Sequence, residues 1–163
     1  MVRIKNPFGK MFSLAIILLV GAVVALAGGK DGKIAGVISG AHCGVNGMAC
    51  PATHDLHRAE LPGVFTNDKK FYFVTNVPQE FLAQWSPGTA ISVEGTAYEP
   101  ARAIDAQKIS VKQNGKWREA FAEGSIIDPM GHKEKLSSAV EVNGTWYCTE
   151  CAHMMQHTGA MKK

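Results

Sequence analysis

The sequence predicts a mainly β fold: a small, strongly bent barrel of five strands with short helices, set between a hydrophobic leader and a C-terminal hairpin appendage that carries Cys-x-x-Cys. Three observations lead there. Short runs alternating apolar and polar residues recur between turn signals, which is the pattern of half-buried strands. Helical spacing replaces alternation only over short stretches. The first 27 residues have a composition unlike the rest, so they stand outside the folded body.

The leader comes first in the chain. Arg3, Lys5 and Lys10 form a positive start, and Met11 to Ala27 is an apolar run without charge, ending in Ala25-Leu26-Ala27. Its length lies between a signal peptide's apolar core and a spanning helix, so residues 1–27 read as a signal peptide or a membrane anchor. Either way the body is expected to be exported, to the periplasm or the extracytoplasmic face of the inner membrane. The 163 residues, 46% hydrophobic and 19% charged over the whole chain, leave room for one domain of ordinary core size plus an appendage. We place the barrel at residues 30–121 and the appendage at 122–163.

Lys33 to Ser39 is the first strand, with Gly36 marking a bulge. Pro51 at a first helical position predicts a helix from there to about Glu60, stopped by Leu61-Pro62-Gly63. Val64-Phe65-Thr66 and Phe71 to Thr75 form a hairpin around Asn67-Asp68-Lys69-Lys70. Pro78 to Trp85 is a second short helix, closed by Ser86-Pro87-Gly88. Thr89 to Tyr98 and Ala103 to Val111 alternate as two further strands, turning at Glu99-Pro100. The order strand, helix, hairpin, helix, hairpin suits a five-stranded OB-like barrel. Ile91, Val93, Ile104, Ile109, Phe71, Phe73 and Trp85 are its expected core. In the appendage, Glu123 to His132 reads as a linker with an Asp128-Pro129 turn, and Asn143-Gly144 joins a hairpin of Ala139–Val142 with Thr145–Cys148.

Two clusters carry the chemistry. Residues 42–57 hold two of the four cysteines and three of the six histidines. On the expected helix, Cys50, His54 and His57 share one face, and Gly44 and Gly47 let the loop bring Cys43 to it. Cysteine and histidine in that arrangement suit a tetrahedral metal, Zn²⁺ first and Cu⁺ second. A Cys43–Cys50 disulfide is the alternative in an oxidising compartment. Asp55 lies between the histidines, as an exposed acid or as a group orienting an imidazole. The second cluster is Cys148-x-x-Cys151, a knuckle of the zinc-ribbon kind, with His153 and His157 on one face of any helix that follows. An oxidised Cys148–Cys151 pair is its alternative.

The residues Cys43, Cys50, Pro62-Gly63-Val64, Asp68-Lys69, Tyr72 and Val93-Glu-Gly-Thr-Ala-Tyr98 form a pattern over Gly36 to Val111. This half of the chain resembles an uncharacterised class of small exported bacterial OB-fold-like domains with a Cys/His-rich segment after the first strand. In that class a second cysteine follows the first helix cysteine by four positions, where this chain has His54, and a histidine precedes it by three, where this chain has Gly47. Histidine in place of cysteine is tolerated by a metal site and not by a disulfide. The resemblance implies the fold and export, and no activity.

Other classes are disfavoured. The net charge of +3 belongs to the leader, since the body carries 14 basic and 14 acidic residues, so no nucleic-acid footprint exists. Cys148 to His153 has one residue too many for covalent haem attachment, and no βαβ unit supports a thioredoxin reading. No Ser–His–acid order, phosphate loop or carboxylate pair stands out, and nothing argues strongly for catalysis. Two expectations remain. One is an exported, membrane-anchored or periplasmic metal-binding module, accessory to a redox or metal-handling assembly in the membrane. The other is a disulfide-stapled OB-like domain that binds a protein or oligosaccharide.

Overall fold

The computed structural model describes residues 28–56 and 60–157; the leader and His57 lie outside them. Among the described residues, no helix is long and apolar enough to cross a membrane. The chain is mainly β. Its first five strands are β1 (Lys30–Gly40), β2 (Pro62–Thr66), β3 (Phe71–Val74), β4 (Ala90–Tyr98) and β5 (Ala103–Gln113). β1 is the shared wall, pairing antiparallel with β2 on one side and β4 on the other. β2 pairs with β3 and β4 with β5, and a short parallel ladder from β3 to β5 closes the barrel.

That closure rests on two residue pairs, Phe73 with Ala103 and Val74 with Ile104. Side chains lengthen it. Asn76 donates from Nδ2 to the Ala106 carbonyl and accepts from the Ala106 N–H at Oδ1, both at 2.7 Å. The Asn76 amide thus substitutes for one more rung of backbone. Between β3 and β4 lies α2 (Gln79–Ala83), preceded by α1 (Ala41–Val45) between β1 and β2. Phe81 and Leu82 of α2 plug the barrel among Ile38, Ile91, Val93, Ile104 and Ile109, all at most 1% exposed. The five-stranded barrel predicted from alternation is therefore present, with its interior filled by side chains as small barrels require.

Several local expectations are corrected. Gly36 is no bulge: β1 keeps register with β4 across it, its ladder with β2 begins at it, and the glycine serves a close approach to the Phe65 backbone instead. The register shift lies between β4 and β5, where Glu94 pairs with Lys108 and Gly95 with Ala106, leaving Gln107 of β5 as the extra residue. In β3 the inward residues are Tyr72 and Val74; Phe71 and Phe73 lie on the opposite face, packed edge to face at 5.0 Å. Phe73 is half-buried, and Phe71 is buried beneath α1, where a Cβ on Gly44 would meet its ring. A four-residue strand that is apolar or aromatic at every position carries no alternation to tell its faces apart. Trp85 is likewise only half-buried, at the rim of the core.

The sheet also continues past the fifth strand. β6 (Lys116–Ala122), β7 (Ser125–Ile127) and β8 (Lys133–Lys135) extend it antiparallel from β5. The expected linker from Glu123 is thus partly strand, with Ile126 fully buried. β9 (Val140–Val142) and β10 (Thr145–Tyr147) form a separate ribbon around Asn143-Gly144, followed by α3 (Thr149–His157). Both Asn143 and Gly144 have positive φ, as the predicted two-residue turn demands. Trp146 seats this ribbon on the barrel by meeting Phe81 at 6.4 Å.

Candidate metal centres

Two groups of four donor side chains converge, each with its ligand atoms within 4.8 Å of one another. The first is Cys43, Cys50, His54 and Glu60; the second is Asp128, His132, Cys148 and Cys151.

The first group is built by the connection between β1 and β2. The chain leaves β1 at Gly40 and makes α1, which carries Cys43. It then reverses through Asn46 and Gly47, whose N–H groups donate to the Cys43 and Gly44 carbonyls at 3.1 Å. Gly47 has φ of 73°, a left-handed conformation that glycine adopts without strain. The reversal returns Cys50 to the end of β1. Its N–H donates to Ser39 Oγ at 3.0 Å, and the Gly40 N–H donates to its sulfur at 3.2 Å. His54 Nδ1 lies 3.8 Å from Cys43 Sγ, and its Nε2 lies 3.4 Å from Glu60 Oε1. The Cys50 thiol faces Glu60 Oε2 at 3.8 Å. Glu60 occupies space kept open by Gly40, where a Cβ would run into the carboxylate.

The helix expected from Pro51 does not form: residues 51–56 are turns. Helical geometry would set Leu56 well off the face of Cys50 and His54. Instead Leu56 is buried in the barrel core, and Cys50 is tied to Ser39 and Gly40. These tertiary contacts outweigh the weak preference that Pro51 supplies. Cys43, Cys50 and His54 nevertheless come together, by a loop rather than a helix face. Asp55 is exposed.

The second group joins the main sheet to the terminal ribbon. Asp128 follows β7 and has a side chain 0% exposed. Its Oδ1 accepts from the Met130 and His132 N–H groups at 2.9 Å each, folding the turn that carries His132. Its Oδ2 lies 3.4 Å from the Cys148 nitrogen and 3.8 Å from His132 Nδ1. Cys148 follows β10, and Cys151 sits in the first turn of α3, donating its N–H to Cys148 Sγ at 3.2 Å. That bond is the geometry of a knuckle whose backbone points at a thiolate. His132 Nδ1 completes the cluster, 3.0 Å from Cys151 Sγ and 4.0 Å from Cys148 Sγ. His153 is exposed on α3 and is not among these donors; His157 ends α3.

Electrostatics bear the crowding out. The neighbouring Cys50 sulfur, then burial and the Glu60 carboxylate, push the Cys43 thiol up to about 11. The Cys148 sulfur, then burial and Asp128, push Cys151 up to about 12. Burial alone would raise the Asp128 carboxyl. The His132 N–H, the Cys151 thiol and the Cys148 and Met130 N–H groups outweigh it and hold the carboxyl below its usual range. Adjacent thiols and carboxylates resist sharing negative charge, and a divalent cation reverses that balance by deprotonating the thiols it binds. Two sulfurs, one imidazole and one carboxylate are a donor set that Zn²⁺ accepts in tetrahedral geometry.

Glu60, Asp128 and His132 were not singled out from the sequence. Glu60 is one acid among 14 with no spacing signal. The Asp128-Pro129 turn was visible, and the histidine four residues after an aspartate was its one available hint. No protein family, characterised protein or solved structure matches the chain.

Proposed function

We propose that the protein is an exported metal-binding module that holds two Zn²⁺ ions, with Cu⁺ the competing occupant, and serves as an accessory to a redox or metal-handling assembly at the membrane. One observation carries this reading: two independent sets of four side chains, drawn from separate segments, each bring their donor atoms within 4.8 Å. The mixed donor set favours Zn²⁺, because carboxylate oxygen is a poor partner for Cu⁺. The charged start and apolar run of residues 1–27 support export.

A second reading has its own observation. A groove of about 380 Å³ beside α1 is lined by Lys69, Lys70, Phe71, Phe73 and Arg102, a basic and aromatic surface suited to a partner or sugar. In that reading the paired cysteines are crosslinked staples. Elemental analysis beside thiol counting without reductant separates the two. Metal binding predicts two equivalents of zinc and four titratable thiols once the metal is removed; no bound metal together with two crosslinks refutes it. Fractionation of the native host tests export, which full-length protein in the soluble cytoplasmic fraction would refute.

A further inference from the structure

We propose that the two centres do different work: the Cys43 centre is an exchange site that hands its ion to an acceptor, whereas the Asp128 centre is a fixed staple. The proposal rests on the metal-binding reading. It follows from how each set of ligands is tied to the fold.

At the Asp128 centre, release of an ion is coupled to loss of structure. Its donors come from the β7–β8 turn, the residue joining β10 to α3, and α3 itself. Cys148 and Cys151 are 6% and 0% exposed, so only the His132 imidazole faces solvent. The Asp128 carboxylate fixes the turn and reaches the Cys148 backbone at the same time. β9 and β10 are three residues each, a ribbon too small to persist without an anchor. An ion here therefore pins the ribbon to the sheet, and leaves only when that joint opens.

The Cys43 centre is different. All its donors lie in one connection whose base is closed without any ion. β1 and β2 stay paired up to Gly40 and Pro62, and the Ala41 N–H donates to the Leu61 carbonyl at 2.9 Å. Leu56 anchors the middle of the connection in the core. Cys43 is half-buried and the His54 side chain is 37% exposed, so a thiolate and an imidazole are both within reach of an incoming ligand. Glu60 already meets both His54 and Cys50, which gives these groups partners when the ion departs.

Transfer is then stepwise ligand exchange. An acceptor thiolate or imidazole bonds to the ion as the bond to His54 or Cys43 breaks. Each freed donor keeps its lone pair; the Cys43 thiolate takes up the proton that an acceptor thiol gives up or one from water, and the His54 imidazole stays neutral. No electrons move. The acceptor class is a site that presents thiolates or imidazoles, and a chromophoric zinc chelator stands in for it.

The test uses the full chain loaded with zinc, its stoichiometry fixed first by elemental analysis. Less than one equivalent per chain sinks the metal-binding reading itself, before any kinetics are read, and a single equivalent overturns the proposal of two centres. With two equivalents bound, mixing with excess 4-(2-pyridylazo)resorcinol should release zinc in two phases of equal amplitude. They should differ roughly tenfold or more in rate, the scale on which a buried partner group alters metal retention. Cys43→Ser should abolish the fast phase alone. His132→Ala, at an exposed position that should fold, should speed the slow phase and leave the fast one. A single phase at two equivalents overturns the proposal, as does loss of the slow phase in Cys43→Ser.

Discussion

Asp128 is the residue on which the terminal half of the molecule turns, and its replacement gives a quantitative test. In metal-free protein, Asp128→Ala removes the acceptor of two short N–H bonds, from Met130 and His132, and of a longer one from Cys148. A hydrogen bond to a charged group is worth about 1.5–3 kcal/mol, but the turn N–H groups can rehydrate once freed, so the net loss should be near about 2–3 kcal/mol. Asp128→Asn retains an oxygen for the turn and gives up only the charge, at about 1 kcal/mol. For a chain of this size the alanine variant should melt roughly 4–12 °C below wild type, by calorimetry in the presence of chelator. The carboxyl titrates below its unfolded value, so its contribution is complete above the unfolded pKa near 3.9 and is lost as pH falls through the lower folded value. The gap between wild type and Asp128→Asn should accordingly narrow below about pH 4. An alanine variant that melts within a degree of wild type at neutral pH would show that the carboxylate does not hold this joint.

Other outcomes follow from the same geometry. Phe81→Ala empties the barrel plug, which meets Trp85, Phe121 and Trp146, and should cost about 3–5 kcal/mol. Phe73→Ala, outward and half-buried, should cost roughly 1–2 kcal/mol when both variants are unfolded by denaturant, and an equal loss for both would contradict the assigned faces of β3. In reduced, metal-free protein at pH 8, Cys43 should react with iodoacetamide at least roughly tenfold more slowly than a peptide thiol, because its thiol is pushed up to about 11 and the loss of thiolate outweighs its greater nucleophilicity; peptide-like labelling read by mass spectrometry would refute this. Gly40→Ala drives a methyl into the Glu60 carboxylate and should lower the zinc content from two equivalents to one; an unchanged count would remove Glu60 from the first centre.

Much of the barrel was legible because β4 alternates in sequence from Ile91 to Ala97 and β5 alternates on either side of Gln107, and a period of two needs no neighbour to interpret it. The cysteines and histidines were legible as chemistry, since few residue types ligate soft metals. What the sequence withheld was placement. Local propensity put Cys50 and His54 on a helix, whereas Leu56 in the core and Ser39 at the strand end decided the path. The partners of Cys148 and Cys151 lie across a sheet joint, 20 residues back in the case of Asp128 with Cys148, and nearby His153 was the plausible but unused neighbour. β7 and β8, three residues each, are too short to show a period at all.

The β3–β5 closure leaves the barrel with a seam. β1 and β4 are laced over eight residue pairs, yet the parallel ladder spans two, helped by the amide of Asn76. Cooperative opening begins where the fewest bonds must break together. The Phe73 and Thr75 amides, bonded to Arg102 and Ile104 at 2.8 and 3.2 Å, are therefore the protons that should trade with deuterium ahead of the rest of the wall. Such breathing swings the β2–β3 hairpin as a flap hinged on β1. That hairpin begins at Pro62, two residues after Glu60, and its Phe71 ring lies under Gly44, next in chain to Cys43. The clasp that fastens the barrel and the loop that gathers the first set of donors thus share one moving part.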